Sequence, residues 1–283
     1  MKRNLTIFMS CTGIILLLAG ARWDLAISDA LYAPDHLFAI LLQDGWPLIM
    51  KLMLALCFAL IADRRPAAYI GWGGATLLFA QEASRIFPRP SASVTVLLAM
   101  ACALLLCLFL RRRLSPAQKA RIRPFLIAYL QLLFTVLIIT GVLKLLWGRI
   151  RYRQMEDAAQ FCVWYRPCAQ TGTSFPSGHT STLACTLLFL FSMLLPRFYP
   201  QRHLLACCIC AGIFLMMFSR IVMGAHFLSD TAAGMLIALV CALVCSGLGA
   251  LLYSVLTISL RANQNVTGLA LTTFGMGFGN FFG

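Results

Sequence analysis

Residues 111–151 read RRRLSPAQKARIRPFLIAYLQLLFTVLIITGVLKLLWGRIR. The stretch runs from a basic segment through an apolar one into a second group of cations, Lys144, Arg149 and Arg151. The apolar run from 125 to 146 has the length that crosses a hydrocarbon core of about 30 Å as helix. Backbone polar groups in lipid must be satisfied within the segment, which demands that helix. Basic residues in short loops stay in the cytoplasm, so the run Arg111 to Arg123 fixes the start of the span on that side. Lys144, Arg149 and Arg151 are thereby delivered to the opposite face.

Outward from this stretch the same pattern recurs. Candidate spans cover residues 5–21, 47–62, 67–83, 93–110, 125–146, 179–195, 203–219 and 229–251. The predicted fold is all-α, a polytopic transmembrane helix bundle of about eight spans with both termini on one side. The count is six to eight, because 67–83 is short and carries Gly71, Gly73 and Gly74, as a re-entrant or bent segment would. Hydrophobic residues make up 61% of the chain and charged residues 11%, against about 25% charged in soluble domains. No repeat or linker divides the chain, so 1–283 reads as one membrane domain. Within it lie N-terminal spans (1–110), a core carrying the chemistry (125–251) and a tail (255–283) to which no chemistry is assigned.

A net charge of +14 could suggest nucleic acid, but its Lys and Arg residues are dispersed among short loops. The bilayer and its anionic lipids are the expected partners, with no nucleic acid; oligomeric state is not readable. With the N-terminus inside, eight of the nine acidic residues fall in the opposite loops and span ends. This points to a bacterial inner membrane with both termini cytoplasmic. The first span resembles a signal peptide, with Ala19-Gly20-Ala21 as a cleavage site, but its apolar stretch is long and an uncleaved anchor is expected. Asn265-Val266-Thr267 matches a glycosylation sequon whose cytoplasmic position argues against its use. Ten of the twelve Cys lie in or beside apolar runs, as small hydrophobes do. Cys162 and Cys168 share one polar loop, and a periplasmic location for it favours a disulfide.

Three polar clusters interrupt the second half: Lys144 to Arg151; Pro176-Ser177-Gly178-His179; and Ser219-Arg220 followed by His226 and Asp230. The chain crosses no membrane between the first two and crosses twice before the third. All three therefore share one face. Lys144, Arg151 and Arg220 taken singly suit interfacial anchoring, whereas together they suit phosphate oxygens. Pro176 fits the first turn of a helix, where Ser177 and Gly178 present a hydroxyl and unpaired N–H groups to an anion. His226 and Asp230 are four residues apart, so a carboxylate can hold the imidazole in one tautomer. Two His without a Cys or carboxylate shell make a weak metal site, so neither metal nor cofactor is expected. His36 and His203 lie in or beside loops, as solvent or headgroup contacts do.

Lys144-x6-Arg151, Pro176-Ser177-Gly178-His179 and Ser219-Arg220-x5-His226-x3-Asp230 resemble the three-part signature of the type-2 phosphatidic acid phosphatase superfamily, which includes membrane lipid phosphatases and soluble vanadium haloperoxidases. The resemblance covers residues 125–251. It implies that His226 is the nucleophile, Asp230 orients it and His179 protonates the leaving oxygen, while Lys144, Arg151, Ser177, Gly178 and Arg220 bind the phosphoryl group. Tyr152 stands where the family usually has Pro. Arg149, and also Glu82, Arg85 and Arg89 if their helix continues that far, are candidate headgroup contacts, with interfacial charges the plainer reading of the last three.

The expected activity is hydrolysis of a phosphomonoester or pyrophosphate on a lipid headgroup, through a phosphohistidine intermediate at the periplasmic face. A phosphotransferase passing the phosphoryl group to a second lipid would use the same residues. A lipid phosphate binding or transport protein would need no nucleophile, and the membrane architecture disfavours a haloperoxidase.

Overall fold

The computed structural model describes residues 2–61, 112–168, 170–196 and 198–255, with residues 76, 101, 102, 105, 109 and 258. Its helices are α1 (Lys2–Leu31), α2 (Leu37–Ile61), α3 (Pro116–Trp147), α4 (Gly178–Leu194), α5 (Arg202–Val222) and α6 (Leu228–Ser254). Two 3-10 turns, Tyr152–Gln154 and Ala158–Gln160, punctuate the loop between α3 and α4, and no strand occurs among the described residues. Arg3–Leu31, Leu37–Ala55, Phe125–Trp147 and Arg202–Val222 are long and apolar enough to cross a bilayer; Gly178–Leu194 and Leu228–Val244 are shorter apolar helices. The chain is a helical membrane protein. Apart from residues 76, 101, 102, 105 and 109, the spans expected at 67–83 and 93–110 lie outside the described residues, as do Glu82, Arg85 and Arg89 and the tail beyond residue 258.

Several helices outrun the apolar spans read from the sequence. The start of α3 is set by a capping box: Ser115 Oγ accepts from the Gln118 N–H at 3.2 Å, and Gln118 Oε1 accepts from the Ser115 N–H at 2.9 Å. Pro116 follows at the first helical position, where its missing N–H costs nothing. Lys119, Arg121 and Arg123 therefore lie on helix rather than in a loop. Helix α1 continues ten residues past the predicted end at 21, and α2 begins ten before its predicted start, with Pro47 inside it. Hydropathy ended both spans at polar residues that the folded helices keep.

The chain divides into two compact units, Met1–Trp46 with Leu132–Ser246 and Pro47–Gln131 with Gly247–Gly283. The polar clusters all belong to the first. Within it, α1 packs on α6 through glycines: a Cβ on Gly13 would lie 2.7 Å from a Leu236 methyl, and one on Gly20 would lie 2.7 Å from Ser229 Cβ. Close backbone approach at small residues is how helices associate in lipid, where hydrophobic burial gives no advantage. Helix α4 is the polar spine, with Thr180, Ser181, Thr182 and Thr186 buried. Thr140 of α3 and Ser181 share a hydrogen bond at 3.3 Å, and Trp46 of α2 donates to Thr182 Oγ1 at 2.9 Å. Ile14, Ile15, Leu18, Leu145 and Leu215 remain exposed on the unit's flanks, as lipid-facing side chains do.

Candidate active site

The site is assembled by a loop that folds back on its own origin. Past α3 the chain turns at Gly148, whose φ of +64° suits glycine and whose Cβ would sit 2.2 Å from the Gln170 carbonyl oxygen. The returning segment pairs with the outgoing one: Cys168 N–H to Trp147 O at 2.7 Å, Gly172 N–H to Gly148 O at 2.9 Å and Ser174 N–H to Arg149 O at 2.8 Å. Cys162 and Cys168 form a disulfide within this loop. The Trp147 indole donates to Trp164 O at 2.5 Å and packs 5.0 Å from the Phe175 ring. Ser177 N–H then bonds Asp230 O at 2.9 Å, a contact that Gly234 permits because any Cβ there would meet Ser177 O at 2.5 Å. These ties bring the second polar cluster against the third.

Ser177 caps α4, its Oγ accepting from the Thr180 N–H and from the Thr180 hydroxyl at 3.1 Å. Neither bond uses the Ser177 proton. A Cβ on Gly178 would lie 3.6 Å from Lys144 Nζ, so the ammonium of α3 stands over the start of α4. Half-buried His179, one residue on, bonds the Gln43 backbone and feels the charges of Arg220, His226 and Lys144. Arg220 is buried, with Nη1 3.4 Å from Gln43 Oε1 and Nη2 3.4 Å from Ser219 Oγ. Arg151 donates to Thr173 Oγ1 at 3.2 Å. Among the described residues, the Nε atoms of Arg151 and Arg220 are buried without a hydrogen-bond partner. Arg149 Nε is likewise unmet, and guanidinium donors left over in a cluster of like charge are able to bind an anion. Burial first, and the charge of Arg153 second, hold the Arg151 guanidinium below its usual range. Tyr152, in place of the family's Pro, donates to Asp29 at 2.8 Å and packs 5.1 Å from Tyr32, and Arg151 still reaches the cluster.

The α5–α6 turn positions His226. Gly224 (φ +59°) has no room for a Cβ, which would meet the Tyr32 ring at 2.6 Å, and the backbone N–H of His226 bonds Arg220 O at 3.2 Å. The imidazole is held otherwise than its spacing to Asp230 implied. His226 Nδ1 lies 2.6 Å from the Ser174 carbonyl oxygen and 3.8 Å from Asp230 Oδ2, the latter too long for a hydrogen bond. A carbonyl can only accept, so the ring proton is on Nδ1 and Nε2 carries the lone pair. Burial pushes His226 down to about 4, against the opposing charge of Asp230, so the ring is neutral at pH 7.

Asp230 is instead saturated by other donors. Its Oδ1 accepts from Arg149 Nη1 at 2.6 Å, and its Oδ2 from Ser174 Oγ at 2.5 Å and from the Phe227 N–H at 2.9 Å. Arg149 is 1% exposed, lies 4.2 Å from the Phe227 ring centroid and donates through Nη2 to Asp24 at 2.9 Å. Its expected headgroup role is thereby corrected, because the guanidinium is turned inward to two carboxylates. Ser174, Gln43 and Asp24 escaped sequence reasoning. Only Asp24 carried a signal, as an acid within an otherwise apolar helix. Among the described residues, no three His, Cys, Asp or Glu side chains are grouped to hold a metal ion.

Residues 125–253 match the model of the PAP2 superfamily. A lipid A 1-phosphatase of Rhizobium etli is 32% identical over 107 residues, which cover 36% of this chain and 43% of that protein. The matched region is thus less than half the length of that relative. No solved structure gives a significant match.

Proposed function

Because residues 125–253 match the model of the PAP2 superfamily, we propose that this protein is a membrane lipid phosphatase that attacks a phosphorylated headgroup with His226. The observation that carries the reading is the tautomer: Nδ1 is committed to Ser174 O at 2.6 Å, which leaves Nε2 as a neutral nucleophile. Lys144, Arg151 and Arg220, with the start of α4 at Ser177 and Gly178, hold the phosphoryl oxygens and neutralise charge as it builds in the transition state. The charges of the inner cluster also balance such a substrate. Lys144, Arg149, Arg151 and Arg220 are offset in part by Asp24 and Asp230, leaving two positive charges for a phosphate monoester of about −1.5 to −2.

In the first step Nε2 of His226 bonds phosphorus and the P–O bond to the lipid breaks, with His179 giving its proton to the leaving oxygen. In the second, water attacks the phosphohistidine, returning a proton to His179 and releasing inorganic phosphate. With the basic segments cytoplasmic, this chemistry lies on the periplasmic side of a bacterial inner membrane. Purified protein in detergent should release inorganic phosphate from at least one member of a panel of phosphatidic acid, phosphatidylglycerol phosphate, undecaprenyl pyrophosphate and lipid A. Vanadate, which mimics a five-coordinate phosphoryl group, should inhibit, and EDTA should not. Transfer of label to a second lipid without phosphate release would establish a phosphotransferase. Loss of activity in EDTA with rescue by zinc or magnesium would refute metal-free chemistry.

A further inference from the structure

We propose that Asp24 is a positioning residue of this site, acting through Arg149 on Asp230 and His226. The inference rests on the phosphatase reading above and adds a requirement from α1, outside the region that matches the superfamily.

Asp24 is 1% exposed, and every polar contact it makes is with a donor. Its Oδ1 accepts from the Ser229 N–H at 2.9 Å, and its Oδ2 accepts from Arg149 Nη2 at 2.9 Å and from the Ser229 hydroxyl. Such a set holds the ionised carboxylate. Ser229 Oγ in turn accepts from Arg149 Nη1 at 2.8 Å, the nitrogen that also bonds Asp230 at 2.6 Å. Arg149 is therefore shared by two carboxylates across one guanidinium. Gly20 makes the arrangement possible, since a Cβ there would lie 2.7 Å from both Asp24 Oδ1 and Ser229 Cβ.

The sharing has an electrostatic consequence. Two carboxylates and one guanidinium leave a single negative charge beside His226, whose ring gains positive charge as Nε2 bonds phosphorus. Were Asp24 neutral, Arg149 would cancel Asp230, and the cations Lys144 and Arg151, which also act on the His226 ring, would be left unopposed. The carboxylate of α1 thus keeps part of Asp230's field available to the imidazole. It does so without touching substrate.

The test uses the full-length protein in detergent with Asp24→Asn and Asp24→Glu, assayed by phosphate release and by ¹⁵N-histidine NMR, with His226→Ala identifying the His226 signals. Asp24→Asn should lower kcat about 10- to 100-fold, less than the roughly 10²- to 10³-fold of a lost donor that touches the reacting atoms, and leave KM within about twofold because the phosphate cradle is intact. The His226 ring should titrate at lower pH than in the parent protein. Asp24→Glu should recover part of kcat. A role confined to folding would instead reduce the yield of folded protein and leave kcat per folded molecule and the His226 titration unchanged, which would overturn the proposal. If Asp24→Asn does not fold, Asp24→Ser carries the test, because it removes the carboxylate from Arg149 and Ser229 and leaves a smaller side chain beside Gly20. It should lower kcat at constant KM, and parental kcat in that variant would also overturn the proposal. Failure of the parent protein to release phosphate would refute the phosphatase reading itself, while the NMR titration would still decide the link from Asp24 to His226.

Discussion

His226 and His179 sit in one site under opposite demands. A nucleophile must offer a lone pair, and His226 does so because the Ser174 carbonyl claims its Nδ1 proton and burial holds the ring's pKa at about 4, down from 6.5. The sign of that shift matters for stability as well. Above pH 6.5 the ring is neutral folded or unfolded; as pH falls from 6.5 to about 4 the unfolded ring protonates first, so stability is lost across that window. In the proposed reading His179, half-buried at the start of α4, must carry a proton to the leaving oxygen although burial and the charges of Arg220 and Lys144 oppose that proton, so the bound phosphate has to supply the compensating negative charge. His179→Ala should reduce turnover of a lipid phosphate about 10²- to 10⁴-fold, the range for positioned proton transfer. A p-nitrophenyl ester, whose leaving group departs without a proton, should recover much of that loss. His226→Ala should recover none. Equal defects of His179→Ala on both substrates would remove its acid role, and rescue of His226→Ala would exchange the assignments.

At the level of elements, the helices were legible wherever an apolar run coincided with a helix. Helices α4, α5 and α6 fall within a few residues of 179–195, 203–219 and 229–251. The discrepancies arise where a helix carries polar residues inward. Hydropathy stops before Arg22 and Asp24, yet α1 runs to Leu31 because Asp24 is partnered by Arg149 and Ser229 rather than by water. Polar groups of α2, Gln43 among them, likewise concealed its start. The candidate phosphate-binding residues stand out in the sequence as ordered clusters because their chemistry is carried by residue type. The orientation of His226 was not, because a backbone carbonyl 52 residues away leaves no mark on residue identity. The i,i+4 spacing correctly put Asp230 near His226, but Arg149 and Ser174 compete for that carboxylate and take its oxygens.

At the scale of the whole molecule, the basic segments and the polar clusters alternate along the chain, and if each apolar run crosses the bilayer they lie on opposite faces. The loop between α3 and α4 should therefore be periplasmic, consistent with its Cys162–Cys168 disulfide. Ala159 is exposed on that loop. In a variant lacking the other free cysteines, Ala159→Cys should react with an impermeant thiol reagent once the outer membrane is opened and the inner membrane is intact. Labelling only after the inner membrane is breached would reverse the orientation.

The central claim is that phosphate passes through His226, and a trapped intermediate tests it most directly. Protein quenched during turnover of a ³²P-labelled lipid phosphate should carry acid-labile, alkali-stable label on the peptide containing His226, with His226→Ala unlabelled. His179→Ala should still label with a p-nitrophenyl phosphate ester. Steady phosphate release with no covalent label, or label on another residue, would contradict the account.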